Sequence, residues 1–148
     1  MNVLVTGGAG FIPSHIVDRL LKDGHKVTVL DLWESDESKV HNGNSNFEFI
    51  KGDVLNDDLI AQCMEGKDRV IHMAAVLGTA ETITTFDVEK VCTVNIVGTT
   101  KILKAAKKAG VGRVLIPTTP DVPWINPYKI TKAAVEKYKG RFLIKGGK

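Results

Sequence analysis

Apolar positions along the chain fall into short β-branched runs and stretches of helical spacing, with glycine or clustered polar residues between them. Asn2–Thr6 (NVLVT) halts at Gly7, Gly8 and Gly10, which predicts a buried strand and a tight turn. Across residues 11–23, Phe11, Ile12, Ile16, Val17, Leu20 and Leu21 recur at helical spacing, and Gly24 stands where a helix C-cap is favoured. Residues 26–30 (KVTVL) predict a second strand, closed by Asp31. The polar stretch 33–46 reads as a loop with room for a short helix. Further strands are expected at Phe47–Lys51, 69–73 and 113–116, and helices at Asp57–Met64, 86–109 and 127–139. Residues 141–145 suggest one last short strand. Strands alternating with helices imply right-handed crossovers, hence an α/β fold: a doubly wound parallel sheet of five or six strands with helices on both faces.

Composition narrows the class without changing this picture. A chain of 148 residues, 43% hydrophobic and 25% charged, suits a single globular domain, and neither a repeat nor a linker divides residues 1–148. The net charge of +3 comes partly from lysines after Lys101, which lack interleaved aromatics and read as a solvated helix face, so no nucleic-acid partner is expected. No stretch reaches the ~18 apolar residues of a membrane span, and the first residues lack a basic export signal. A cytoplasmic protein with no membrane partner is the expectation. Cys63 and Cys92 show no metal or redox spacing, nor do His15, His25, His41 and His72, so no metal is expected.

The chemistry begins at residues 6–13, Thr-Gly-Gly-Ala-Gly-Phe-Ile-Pro, where a strand hands over to a helix. Gly7 and Gly10 allow a pyrophosphate to approach the backbone, and the helix N-terminus at Phe11 and Ile12 supplies amide donors and a positive dipole end. Asp31, at the end of the second strand, would accept hydrogen bonds from an adenosine ribose and repel a 2′-phosphate, which favours NAD over NADP. Together these features make the sheet Rossmann-like. Tyr128 and Lys132, four positions apart, share a helical face, where an ammonium would lower the tyrosine pKa toward that of a general base.

Several stretches resemble the extended short-chain dehydrogenase/reductases, in particular the NAD-dependent nucleotide-sugar epimerases and dehydratases. They are TGGAGFIPSHIV, Asp53-Val54, His72-Met73-Ala74-Ala75, Val94-Asn95-Ile96-Val97-Gly98-Thr99 and Asn126-Pro127-Tyr128-Lys129-Ile130-Thr131-Lys132. The resemblance implies that Asp53 and Val54 flank the adenine, that Met73, Ala74 and Ala75 line the cofactor through their backbone, and that Asn95 shapes the site. It also implies catalytic roles for Tyr128 as base, Lys132 as its partner, which with Tyr128 also contacts the cofactor, and Thr119 as the residue that orients the sugar oxygen. The implied reaction is 4-epimerisation of a nucleotide sugar, a UDP-hexose such as UDP-galactose or UDP-glucose, through a transient 4-keto sugar.

The sequence also departs from the family. Pro13 replaces the third glycine of the turn, and only nine positions separate Thr119 from Tyr128, with Val122-Pro123-Trp124 where the family has a longer Val-Tyr-Gly segment. The family's substrate domain is expected to be absent, leaving a truncated chain whose exposed sheet edge would favour a homodimer. A non-catalytic NAD-binding module is therefore the alternative. A 4,6-dehydratase is disfavoured, because Pro120-Asp121 follows Thr119 in place of the family's Asp-Glu; Asp121 reads as turn chemistry. Trp33 could flank an adenine, but the preferred reading is a partly buried loop anchor.

Overall fold

The computed structural model describes residues 1–77, 87–119 and 126–138. Five strands form one parallel sheet: β1 (Asn2–Thr6), β2 (Lys26–Asp31), β3 (Phe47–Lys51), β4 (Arg69–His72) and β5 (Arg113–Leu115), in the order β3-β2-β1-β4-β5. The chain winds outward from β1 to β3, returns across the sheet and continues to β5. Strand order therefore reverses between β1 and β4, the place where such folds open a crevice at the carboxyl ends of their strands. The expected strand at 141–145 lies outside the described residues.

Side-chain alternation on β1 decides which helices cover which face. Val3 and Val5 pack with Val27, Val29 and Val17 of α1 (Phe11–Lys22) on one face. Leu4 packs on the other with Leu30, Val70, Ile60, Cys63 and Met64 of α3 (Asp57–Met64), and Ile102 and Ala106 of α5 (Thr99–Lys108). Helices thus cover both faces of a doubly wound sheet. Asn56 caps α3 by accepting from Leu59 N at 3.1 Å, worth about 1 kcal/mol. Lys101 of α5 pairs with Asp57 of α3. Within the loop at 33–46, Ser35 caps the short α2 (Asp36–Lys39).

The helix expected over 86–109 is corrected in its interior. It divides into α4 (Val88–Cys92), capped by the Asp87 carboxylate, a π-helical segment (Thr93–Gly98), and α5. Periodicity alone cannot register the wider turn. At this segment the Thr99 hydroxyl donates to Asn95 O at 2.6 Å and that of Thr100 to Ile96 O at 2.8 Å, bonds that compete for the carbonyls of the regular ladder. The last described element, α6 (Pro127–Tyr138), packs against α4 and the π-helical segment.

Candidate functional site

At the carboxyl end of β1 the chain turns through Gly7, whose φ is +70° and whose amide still donates to Leu30 O at 2.8 Å. A Cβ there would stand 2.6 Å from Ala74 N and 2.7 Å from Ala74 Cα, so the turn lies directly against the segment after β4 and only glycine fits. Gly10 is the N-cap of α1 and provides no side-chain cap. The first helical bond runs from Ser14 N to Gly10 O at 3.0 Å. Pro13 precedes it and lacks only an amide that has no helical use. The Pro13 ring is buried, and a Cβ on Gly10 would lie 3.3 Å from its Cγ. The amides of Phe11 and Ile12 have no acceptor within the helix, while their side chains are 78% and 65% exposed.

Asp31 closes this turn from the side. Its Oδ2 accepts from Ala9 N at 3.0 Å and its Oδ1 from Leu32 N at 2.7 Å. Burial pushes the carboxyl above its ordinary value, against the pull of the amides of Ala9, Leu32 and Trp33. The anchor expected at Trp33 is corrected: its side chain is 63% exposed, because its loop tip leaves the sheet immediately after Asp31. Phe11, Ile12, Leu32 and Trp33 are all exposed and follow the carboxyl ends of β1 and β2.

On the other side of the switch point the segment after β4, the π-helical segment and α6 meet. Met73, Ala74 and Ala75 continue β4 irregularly, and Met73 N donates to Thr6 O at 2.9 Å. Asn95, buried in the π-helical segment, accepts from Val76 N at 2.8 Å and donates to Val76 O at 3.0 Å and to Thr131 Oγ1 at 3.1 Å. It therefore clamps the post-β4 segment to α6. Asp53 Oδ1 accepts from Leu55 N at 2.9 Å, and the Val54 side chain belongs to the core, so this pair shapes its turn and offers a ligand mainly the Asp53 carboxylate and backbone. Thr119, half-buried, follows β5 in irregular chain. The link 120–125, with Asp121, Val122, Pro123 and Trp124, lies outside the described residues.

Tyr128 and Lys132 occupy successive turns of α6, with Nζ 5.6 Å from the phenol ring centroid. The expected lowering of the Tyr128 pKa is corrected. Half-burial destabilises the phenolate and pushes the phenol up. Lys132, 4% exposed, is itself pushed down by burial, and its nitrogen lies over the Tyr128 ring.

Sequence reasoning missed two groups here. His72 is fully buried between Thr6 and Thr99, and burial together with the Lys132 charge pushes it down to about 3, so it is neutral. Thr131, also fully buried, donates to Tyr128 O at 2.8 Å while accepting from Asn95. A histidine directly after the apolar pair Val70-Ile71 and a threonine three positions after Tyr128 were the available signals. Among the described residues no three His, Cys, Asp or Glu side chains come together as a metal site, and no helix is long and apolar enough to cross a membrane.

Residues 4–137 match the family described as 3-beta hydroxysteroid dehydrogenase/isomerase. UDP-glucose 4-epimerase of Mycolicibacterium smegmatis is 38% identical over 160 residues, covering 93% of this chain and 50% of that protein. UDP-N-acetyl-alpha-D-glucosaminuronate decarboxylase of Bacillus cytotoxicus is 38% identical over 120 residues, covering 80% of this chain and 36% of that protein. Among solved structures, UDP-glucose-4-epimerase from Stenotrophomonas maltophila, with bound NAD and formylated UDP-arabinopyranose, superposes with a TM-score of 0.80 at 27% identity, over 95% of this chain and 48% of that one. The chain spans about half the length of the relatives it matches, or less.

Proposed function

Because the chain belongs to the 3-beta hydroxysteroid dehydrogenase/isomerase family, within the extended short-chain dehydrogenase/reductases, we propose that it is the NAD-binding and proton-transferring part of a nucleotide-sugar epimerase. The reaction proposed is 4-epimerisation of a UDP-hexose such as UDP-glucose or UDP-galactose. One observation carries the reading. Asn95 joins the segment after β4, which contacts the Gly7 turn, to the helix that bears Tyr128 and Lys132. A dinucleotide turn and a proton-transfer pair therefore flank one crevice.

The residues suit a dinucleotide. Gly7 and Gly10 keep side chains out of the turn, the Phe11 and Ile12 amides face the α1 N-terminus without helical acceptors, and Asp31 retains lone pairs for a ribose. Met73, Ala74 and Ala75 would line it by backbone, and Asp53, Val54 and Asn95 would bound it from β3 and the π-helical segment. NAD, when bound, would supply a hydride acceptor and, on the return, a donor. Tyr128 Oη would take the proton of the sugar hydroxyl, and Thr119 would hold the oxygen being oxidised. Lys132 would oppose the effect of burial on Tyr128, since a cation beside the ring favours the phenolate. Once the 4-keto sugar has rotated to present its other face for the return of the hydride, the same tyrosine would give the proton back to the C4 oxygen.

A NAD-binding module without turnover is the second reading, favoured by the raised phenol of Tyr128. Calorimetry with NAD, then with UDP-glucose or UDP-galactose, separates the two, since an enzyme binds both and a module only NAD. If the pair works as described, Tyr128→Phe lowers the interconversion about 100-fold or more with NAD binding retained; unchanged turnover would sink it. Turnover should also rise with pH through the alkaline range, because the base form of a phenol held above its ordinary value forms only there.

A further inference from the structure

Buried side chains make a run of hydrogen bonds from the end of β1 to the Tyr128 helix, joined at Asn95 through that residue's own covalent frame. Ala74 N donates to Thr6 Oγ1 at 3.4 Å, and Thr6 Oγ1 lies 2.6 Å from His72 Nδ1. His72 Nε2 lies 3.0 Å from Thr99 Oγ1. The Thr99 hydroxyl donates to Asn95 O at 2.6 Å, Asn95 Nδ2 donates to Thr131 Oγ1 at 3.1 Å, and the Thr131 hydroxyl donates to Tyr128 O at 2.8 Å. Thr6, His72, Thr99, Asn95 and Thr131 are all nearly or wholly inaccessible to solvent, and among the described residues no buried side-chain nitrogen or oxygen lacks a partner.

Counting protons settles the direction of each bond. A threonine hydroxyl has one proton, and Thr99 gives its proton to Asn95 O, so toward His72 it accepts. Nε2 therefore carries the imidazole hydrogen. Nδ1 is bare and accepts from the Thr6 hydroxyl, which in turn accepts from Ala74 N. The opposite tautomer would set a bare nitrogen against Thr99, which would then have to surrender its bond to Asn95 O, and a hydrogen against Thr6, whose own proton would lose its acceptor. An imidazolium would keep both contacts with Nδ1 turned donor, and the Thr6 proton would lose its acceptor. In a dry site each broken link leaves a buried polar group unsatisfied.

We propose that His72 is a positioning residue: as the Nε2–H tautomer it ties the strand ending in the glycine turn to the π-helical segment and, through Asn95 and Thr131, holds the Tyr128–Lys132 helix in place relative to that turn. The tautomer and the mechanical coupling stand on the hydrogen bonds alone, while the effect on turnover rests on the proposed reading of Tyr128 and Lys132. The run cannot relay a proton from end to end, because one link passes through the backbone carbonyl of Asn95. Its role is to fix distance and orientation, which catalysis by a positioned base requires.

The first test is nitrogen-15 NMR of the histidine rings in the whole chain. His72 should show a protonated Nε2 and a bare Nδ1 at neutral pH; the reverse pattern or an imidazolium would overturn the assignment. The second is amide hydrogen exchange. His72→Leu should speed exchange across 127–138 about tenfold more than across β2 and β3, and His72→Gln, which keeps an N–H toward Thr99, should recover most of the difference. Should His72→Leu fail to fold, Thr131→Val cuts the same run at the helix. It should speed exchange in α6 about tenfold with β1 to β3 unchanged, and unaltered α6 exchange in a folded Thr131→Val protein would overturn the coupling. In an active wild type, Thr131→Val should lower kcat about tenfold with KM for NAD within about threefold; equal losses in both would mean general loosening and count against positioning. A wild type that binds NAD but turns nothing over defeats the proposed function alone, since the NMR and exchange results still decide this inference.

Discussion

The two walls that flank the switch point of the sheet are built in different ways. The wall formed by β1, the glycine turn and α1 is made of backbone: a positive-φ glycine, an uncapped helix start and the Asp31 carboxylate tied to main-chain amides. The wall formed by β4, the π-helical segment and α6 is made of buried side chains bonded across long separations, such as Thr6 to His72, His72 to Thr99 and Asn95 to Thr131. The first depends on the absence of atoms. The second depends on every donor meeting an acceptor. The glycine turn is thus specified by residues close in sequence, with Asp31 brought to it by strand pairing, whereas the placement of Tyr128 and Lys132 needs groups from several elements.

The sharpest way to break the first wall is Gly7→Ala, which combines a left-handed backbone with a Cβ 2.6 Å from Ala74 N. A loss of about 4 kcal/mol or failure to fold is expected in urea denaturation. A stable Gly7→Ala protein would mean that the two walls do not touch there.

The second wall should be the one that responds to acid. His72 is pushed down to about 3 from its ordinary 6.5, so below pH 6.5 the unfolded chain takes a proton that the folded protein refuses. Its contribution is complete above pH 6.5 and falls by about 1.4 kcal/mol per pH unit as pH drops toward 3. Burial raises the Asp31 carboxyl and so acts with the opposite sign at low pH. Comparison with His72→Gln isolates the histidine, and equal slopes for the two proteins would contradict this account.

Asn95→Ala removes three bonds at once and leaves the Val76 amide without its side-chain acceptor. The expected loss is about 2 kcal/mol, with kcat falling more than NAD affinity. At the rim of the first wall, Trp33→Ala should change stability by less than about 0.5 kcal/mol, since its side chain is mostly exposed. Any larger change would place the indole in a contact with the rest of the fold.

This contrast also explains how far the sequence could be read. β1, β3 and α3 occupy the residues that their pattern predicts, because alternation, helical spacing and the Asn56 cap act over a few neighbours. The glycine turn was legible for the same reason, whereas its bond to Asp31, across 22 positions, required the pairing of β1 with β2. The π-helical segment was hidden, since periodicity does not register the wider turn, at which two hydroxyls bond back to carbonyls four residues earlier. Burial of Tyr128 reversed the expected direction of its pKa, and burial is not written in the spacing of Tyr128 and Lys132. Trp33 was misjudged because aromatic character says nothing about whether a loop tip folds inward.

By itself, then, the sequence determined the elements, the parallel α/β class and the backbone-built turn, all of which follow from periodicity and from what glycine permits within a few residues. Only the tertiary structure decided that His72 stands neutral between β1 and the π-helical segment, that Asn95 grips Val76 and Thr131, and that Tyr128 is half-buried. Those facts depend on partners up to 66 positions apart in sequence, and a hydrogen bond in a dry interior exists only once the chain has folded to bring both partners there.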